Sequence, residues 1–255
     1  MSGQVRLQAL GPVARVTLSH PGKLDAMWRE LREAFVRLQS DGAARCIVIT
    51  GENGGFCAGG DIAEYPSFRF DAEALRRFHD EEVWGALAAM LACEVPIVAQ
   101  LEGACMGAGL EIACCCDLRI AGASARFGAP IARLGFPMAP REVQLVASVA
   151  GETTLREMLL EAAILDAAEM KARGFLQRVV ENTAVADAVQ ASAARIAQLA
   201  PQAARMNKRI LRRVAGQAPG APLAPDLLER AYDYAISAEH REGIAAFLEK
   251  RSPKF

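Results

Sequence analysis

The sequence lacks an excess of charge of either sign. Its 29 lysine and arginine residues are balanced by 30 aspartate and glutamate residues, giving a formal net charge of -1. A protein that binds nucleic acid through its overall charge usually carries a clustered basic surplus, so this balance argues against that class. The chain also has no run of the roughly 20 apolar residues that cross a bilayer, and its first residues lack the apolar core of a signal peptide. We therefore expect a cytoplasmic protein that binds neither nucleic acid nor membrane.

The 7 cysteines lack the spacing of a metal site. None belongs to a C-x-x-C pair with a second such pair, or with histidines, at zinc-finger distance. Cys114, Cys115 and Cys116 are consecutive, so on a helix their side chains point about 100° apart and cannot all reach one metal. We expect these residues to be small apolar side chains in a reduced protein, with no metal bound.

The usual phosphate-binding signatures are also missing. The stretch GENGGFCAGGDIAEY (51–65) follows an apolar run, but it contains neither G-x-G-x-x-G nor the Lys-Ser/Thr ending of a P-loop. This argues against a dinucleotide or ATP site. What the loop does offer is backbone, because Gly59 and Gly60 let the chain approach a ligand closely and direct peptide N–H groups at it.

Short β-type runs alternate with helical patterns over the first 140 residues, as is typical of parallel strands joined by right-handed crossovers. Strands are predicted at 13–20, 46–50 and 96–103, and helices at 27–40 and 71–93. Ala14, Val16 and Leu18 are predicted to share one face of the first strand. Beyond residue 140 the strand signal fades, and helices are predicted up to Gly174, over 183–213, and as one last helix after the Pro/Gly-rich stretch 216–225. We expect an α/β core over residues 1–190 and a helical subdomain over 191–255.

One carboxylate, Glu111, lies in the apolar segment EGACMGAGLEIACCCDLRIAG (102–122). A charge in such a segment costs free energy unless it is paired, or unless its pKa shifts and the group is used. The preceding turn, GACMGAG, leads into a helix whose first N–H groups are free, and Glu111 should lie over the amide of Ala108. Acid–base chemistry beside a polarised carbonyl needs this arrangement. On this evidence alone, an ordinary first-turn glutamate favoured by the helix dipole fits equally well.

Together, the two turns resemble the enoyl-CoA hydratase/isomerase family, the crotonase superfamily. FCAGGDIAEY is similar to its F-x-A-G-x-D turn, and GACMGAGLEIACCCDLRIAGASARFGAPIARLGF to its G-x-x-x-G-x-G-x-E-L-x-x-x-C-D signature and the F-G-x-P-E-x-x-L-G that follows. The resemblance extends from HPGKLDAM to EGIAAFLEKRSPKF, which is nearly the whole chain. It implies an α/β fold, a crotonase-like spiral of ββα units with a C-terminal helical subdomain.

The resemblance also implies a substrate and the residues that bind it. The substrate would be an acyl-CoA thioester, with no permanently bound cofactor, and the N–H groups of Gly60 and Ala108 would hold the thioester oxygen. The family more often has glycine where Ala108 stands. The residues expected to contact coenzyme A are Lys23, Ala58, Gly60, Asp61 and Ile62, together with Phe247 and Lys250 in a C-terminal helix that often comes from a neighbouring subunit. A homotrimer or a dimer of trimers is expected.

The catalytic carboxylates depart from the family pattern. Glu111 matches the first of the two glutamates of the hydratases, but Ile131 stands where the second is expected. Glu142 lies close to where some peroxisomal-type isomerases place their base, although a charge in the first turn of a helix after Pro140 has an ordinary explanation. His79 lies on the helix that lines the acyl pocket in this family. With Ile131 in place, we expect weak hydration that Ile131→Glu would improve, unless Glu142 already serves as the second carboxylate.

Three functions remain open on this basis. The first is an enoyl-CoA hydratase or Δ3-Δ2 enoyl-CoA isomerase with Glu111 as acid and base. The second is a crotonase-fold decarboxylase or thioester hydrolase that uses the same oxyanion hole. The third is a non-catalytic acyl-CoA-binding homologue. An intact pair of turns beside Glu111 favours an enzyme.

Overall fold

Six strands form the main sheet within the residues that this computed structural model describes, which are 5–19, 24–60, 66, 68–217 and 221–255. For Leu24 and Asp25 it describes the backbone only. The sheet has the order β1 (Val5–Leu10), β2 (Val13–Leu18), β3 (Cys46–Gly51), β4 (Ile97–Leu101), β6 (Leu118–Gly122) and β9 (Arg178–Val180). β1 and β2 form an antiparallel hairpin and every later pairing is parallel. A smaller sheet has the order β5 (Ala104–Met106), β7 (Arg126–Gly128) and β8 (Ile164–Asp166).

Helices connect these strands and make up the C-terminal part. They are α1 (Leu24–Asp41), α2 (Ala72–Arg77), α3 (Trp84–Ala92), α4 (Ala108–Cys114), α5 (Pro140–Ala150), α6 (Glu152–Leu160), α7 (Ala167–Ala172), α8 (Val185–Ala197), α9 (Pro201–Val214), α10 (Pro225–Glu229) and α11 (Ala238–Leu248). A π-helical segment, Phe78–Val83, lies between α2 and α3, and 3-10 turns span Pro130–Leu134, Asn182–Ala184 and Asp233–Ile236. Across the described ranges, no helix combines the length and the apolar character that a membrane span requires.

Helices cover both faces of the main sheet, as a parallel sheet requires. On one face, Val16 and Ile49 pack in a large apolar cluster with Phe35 of α1. The predicted face of β2 is confirmed, because Ala14 and Leu18 lie in the same cluster as Val16. On the other face, alternate residues of the strands pack against α8 in a second cluster, which contains Val13, Cys46, Val48, Val98, Val185, Val189, Ala193 and Ala197. α8 therefore crosses the boundary predicted at residue 190 and packs on the α/β core.

Several elements differ from the sequence-based expectation, and β5, β6 and β7 were not predicted. The helix expected over 71–93 is interrupted by the π-helical segment Phe78–Val83. The helical prediction up to Gly174 was wrong over Ile164–Asp166, which forms β8. The single last helix is instead α10, a 3-10 turn and α11, because Ser237 adopts an extended conformation and caps α11. β1 was not predicted; its alternate residues are polar and it lies at the sheet edge, so it carries no continuous apolar run.

Candidate active site

The two glycine-rich turns lie side by side. Cys57 in the first turn and Cys105 of β5 form an isolated parallel β-bridge. The Cys57 N–H donates to the carbonyl of Ala104 at 2.9 Å, and the Met106 N–H donates to the carbonyl of Cys57 at 2.9 Å. These bonds fix the segment that contains Gly60 relative to the start of α4, which contains Ala108.

Glycine is required at two positions of this contact. Gly107, just before α4, has a φ of 48°, in the left-handed region that side chains disfavour. A Cβ on Gly109 would lie 2.4 Å from the carbonyl oxygen of Cys57, which is closer than atoms can approach. α4 can therefore rest on the first turn only because its first residues carry almost no side chain.

Glu111 lies in the first turn of α4 and is 9 % exposed. Its N–H donates to the carbonyl of Gly107 at 3.1 Å. The other end of α4 is held by Arg119 of β6, whose guanidinium donates to the carbonyls of Cys116 at 2.6 Å and Phe175 at 2.7 Å. The helix that carries Glu111 is thus fixed at both ends.

Glu142, in the first turn of α5, is also inside the protein and is only 2 % exposed. Its Oε1 lies 3.2 Å from the Nδ1 of His79, so the ring donates to the carboxylate when that nitrogen carries hydrogen. His79 comes from the π-helical segment, a feature that is frequent at functional sites. The structure therefore brings together three groups that lie in separate segments of the sequence: Glu111, Glu142 and His79.

Burial is the main cause of the raised pKa of Glu111. Burial and, to a smaller extent, the charge of Glu142 raise the pKa of this carboxyl and the charge of Arg69 lowers it, so that the pKa is about 8 instead of the ordinary 4.5. At neutral pH Glu111 is therefore mostly protonated. A buried carboxyl that retains its proton beside a second carboxylate is a common arrangement for an acid–base pair.

A cavity of about 270 Å³ is lined by Glu111 and His79, whereas Glu142 lies behind His79 and is not among the lining residues. Gly60, Ala108 and Ile131 also line it. The remaining wall is mostly apolar and includes Trp28, Phe78, Val83, Met106, Leu134, Phe136, Met138 and Ile164. The cavity thus combines backbone donors, a carboxyl group and room for an apolar chain.

The structure describes only some of the residues that are predicted to contact coenzyme A. Ala58 lines the cavity beside Gly60. Lys23, Asp61 and Ile62 lie outside the described residues. Phe247 in α11 is 81 % exposed, Lys250 is also exposed, and neither lines the cavity within one chain.

Sequence reasoning missed Arg69 and Phe136, which both line the cavity. The guanidinium carbon of Arg69 lies 4.0 Å from the centre of the Phe136 ring. An isolated arginine in a loop and an isolated phenylalanine carry no motif, so no local signal could have identified them. Their pairing arises only from the tertiary fold.

A mostly parallel sheet covered on both faces, with two abutting glycine turns next to a buried glutamate, defines a crotonase-fold enzyme. The sequence pattern of the enoyl-CoA hydratase/isomerase family matches residues 9–255. The chain belongs to this family and is an acyl-CoA-processing enzyme of the hydratase/isomerase type, which confirms the resemblance and the fold expected from the sequence.

Individual relatives agree with this assignment. A protein named probable enoyl-CoA hydratase echA8, from Mycobacterium tuberculosis, is 33 % identical over 95 % of this chain and 94 % of its own length. The (E)-benzylidenesuccinyl-CoA hydratase of Thauera aromatica is 29 % identical over 98 % of both chains. The crystal structure of an enoyl-CoA hydratase/carnithine racemase from Magnetospirillum magneticum superimposes with a TM-score of 0.93, at 36 % identity, covering 100 % of this chain and 96 % of that one.

Proposed function

We propose that this enzyme hydrates 2-enoyl-CoA thioesters, with Glu142 as the second carboxylate that Ile131 cannot supply. One observation carries the proposal: the buried Glu142 lies 3.2 Å from His79, which lines the same cavity as Glu111. Glu142 thereby takes the functional place of the expected glutamate from a different part of the chain.

The thioester oxygen would accept hydrogen bonds from the N–H groups of Gly60 and Ala108. The Ala108 N–H is the first of α4 and has no acceptor within its own helix. Both residues line the cavity beside Glu111, which supports their joint use. Two such donors stabilise the negative charge that develops on the thioester oxygen when C2 and C3 react.

The two carboxyl groups would divide the proton transfers. Glu142, as carboxylate, removes a proton from water while the oxygen of that water bonds to C3. Glu111, protonated at neutral pH because its pKa is about 8, delivers its proton to C2. The water thus adds as hydroxyl at C3 and hydrogen at C2, and one proton then passes from Glu142 back to Glu111 to complete the cycle.

The test follows the ultraviolet absorbance of the conjugated thioester. With crotonyl-CoA the absorbance should fall as the double bond is hydrated. Glu111→Gln and Glu142→Gln should each lower kcat by roughly 10² or more, the effect of losing a general acid or base, and leave coenzyme A ester binding nearly unchanged. Glu152→Gln, which changes an exposed glutamate of α6, is the matched control. Full activity of Glu142→Gln would contradict the proposal.

A second candidate is double-bond isomerisation, in which one carboxyl moves a proton between C2 and C4. The position of Glu142 also favours isomerisation, since some peroxisomal-type isomerases of the family place their base close to this position. The same assay separates the two reactions, because a 3-enoyl-CoA becomes conjugated on isomerisation and the absorbance rises. We further infer that the enzyme acts in the cytoplasm as a homotrimer or a dimer of trimers, in keeping with the family resemblance.

A further inference from the structure

One arginine of the C-terminal part of the chain, Arg212 of α9, reaches the ends of two core helices. Its Nη1 donates to the carbonyl of Leu91 near the end of α3, and to that of Cys93, just beyond this end, at 3.3 Å. Its Nη2 donates to the carbonyl of Cys115, just beyond the end of α4, at 3.1 Å. Because the last carbonyls of a helix have no partner within the helix, a single guanidinium here supplies donors to two helix ends.

Asp117 holds this arginine in place. Its Oδ1 accepts a bond from the Nη2 of Arg212 at 3.2 Å, and its Oδ2 accepts bonds from the buried ammonium of Lys208 and from the N–H of Ile97, each at 2.7 Å. Lys208 also donates to the carbonyl of Val95 at 2.6 Å. These bonds involve charged groups, which makes them stronger than bonds between neutral groups. They join α9 to the segment before β4 and to the turn after α4.

α4 depends on such contacts because it is short. It has seven residues, Ala108–Cys114, and a helix of two turns is not stable on its own. Arg119 of β6 donates to the carbonyl of Cys116, which also follows α4, at 2.6 Å. Two arginines from distant parts of the chain, Arg119 and Arg212, therefore hold the C-terminal end of this helix.

The end that Arg212 holds lies close to the carboxyl of the candidate site. Cys115 is four residues after Glu111, so the rise of a helix places it about 6 Å further along the axis. Glu111 is buried, and burial is the main cause of its raised pKa. A displacement of α4 would admit water to this carboxyl and move its pKa back towards the ordinary value.

We propose that Arg212 is a positioning residue for Glu111 and acts through the C-terminal end of α4. Arg212 is not among the residues that line the cavity, so its effect reaches Glu111 through the backbone of the helix and not through the substrate. The inference rests on the proposed function only in its kinetic consequence, because Glu111 is the proton donor in that function.

Titration of the Glu111 carboxyl tests this without any need for turnover. NMR of protein labelled at the carboxyl carbon of glutamate, with the spectrum of Glu111→Gln for assignment, would measure the pKa directly. We expect about 8 in the unmodified enzyme and a value lower by about one pH unit or more in Arg212→Gln. Loss of a positive charge alone would raise this pKa, so a decrease shows that water has reached the carboxyl. The charges of Glu142 and Arg69, which also act on Glu111, are the same in both proteins.

Kinetics with crotonyl-CoA provide a second measurement. In Arg212→Gln, kcat should fall by about tenfold while KM changes by less than about threefold, because proton delivery and not binding is impaired. Arg212→Lys keeps the charge beside Asp117, but one ammonium cannot reach both helix ends, so both effects should be smaller. The matched control is Arg213→Gln, because Arg213 is the next residue of α9, is exposed and pairs with Asp226. This control should leave the Glu111 pKa and kcat unchanged.

Each contrary result has a distinct meaning. An unchanged Glu111 pKa in Arg212→Gln that is folded by circular dichroism overturns the inference, because Arg212 would then serve only to hold α9. An equal decrease in Arg213→Gln, or a Glu111 pKa near 4.5 in the unmodified enzyme, also overturns it. If Arg212→Gln does not fold, Arg212→Lys decides, and an unchanged pKa there contradicts the inference. Absence of hydration by the unmodified enzyme contradicts the proposed function and leaves the titration to decide the inference.

Discussion

The Nδ1 of His79 and the Oε1 of Glu142 lie 3.2 Å apart, although 63 positions separate the two residues in the sequence. His79 is on the π-helical segment and Glu142 is in the first turn of α5. The contact fixes one oxygen of a carboxylate that is almost completely buried. If Glu142 is the proposed base, His79 positions it, and loss of His79 should affect catalysis more than binding.

His79→Phe removes the donor to Glu142 while filling similar space. We expect kcat to fall by about tenfold with little change in KM, because the orientation of the base matters in the transition state more than in the bound substrate. His79→Asn retains an N–H donor at the same distance along the side chain and should restore most of the activity. Kinetics across a range of pH would check both variants. If His79→Phe is as active as the unmodified enzyme, the contact has no catalytic role.

Stability should depend on pH through Glu111. Its pKa is about 8 in the folded chain and 4.5 in an ordinary environment, so between these values the folded state holds a proton that the unfolded state releases. The free energy of unfolding should therefore decrease as the pH rises through this window, by up to about 1.4 kcal/mol per pH unit from this group. Below pH 4.5 and above about 8 the group adds no further slope.

Glu111→Gln removes this dependence. The variant should gain stability relative to the unmodified enzyme as the pH is raised from 5 to 8, which urea denaturation at both pH values would measure. A constant difference between the two proteins across this range would show that the carboxyl titrates normally in the folded chain.

Ala108 is predicted to act through its backbone. Ala108→Gly keeps the N–H and should retain activity within about threefold, since only a methyl group is lost at the cavity wall. Ala108→Pro removes the donor and should lower kcat by roughly 10² or more. Steady-state kinetics on crotonyl-CoA would compare them. Equal damage from both substitutions would contradict a role for the N–H group.

The position of Ile131 offers a test of which carboxylate completes the pair. Ile131 lines the cavity. If Glu142 is the second carboxylate, as proposed, Ile131→Glu should add no hydratase activity to the unmodified enzyme. The new carboxyl would also be desolvated, which lowers stability. In the Glu142→Gln background, the same substitution should partly restore activity. A large gain in the unmodified enzyme would support the opposite view, that the native site lacks its second carboxylate.

The C-terminal segment is predicted to lie in a subunit interface. Within one chain Tyr232 is 75 % exposed, Ile236 and Phe247 are each 81 % exposed, and Ile244 is 52 % exposed. Such a patch is unusual on a monomer and is typical of an interaction surface. Light scattering should give a mass about three or six times the 27.3 kDa of the chain, and Ile236→Asp with Phe247→Asp should reduce it. A monomer mass at micromolar concentration would contradict this prediction.

The local parts of the fold and site could be predicted from the sequence. Apolar spacing identified α1 and the central strands, because this feature depends on neighbours in the chain. The two glycine turns led to Gly60, Ala108 and Glu111, which line one cavity and whose catalytic roles stay predictions. Strands of three residues such as β5 and β8 have too few positions to show a period. The contacts of Glu142 with His79 and of Arg69 with Phe136 join distant segments, so only the folded chain reveals them.

The cysteines that lack metal spacing have a different consequence. All seven are buried and reduced, and burial raises the pKa of each thiol, for example to about 11 at Cys57 and about 12 at Cys114. Thiols that are both inaccessible and protonated react very slowly with alkylating and oxidising reagents. A molecule of this enzyme that reacts with such a reagent must therefore have unfolded, at least in its core, before the reaction. Labelling of the thiols thus reports unfolding of the native enzyme.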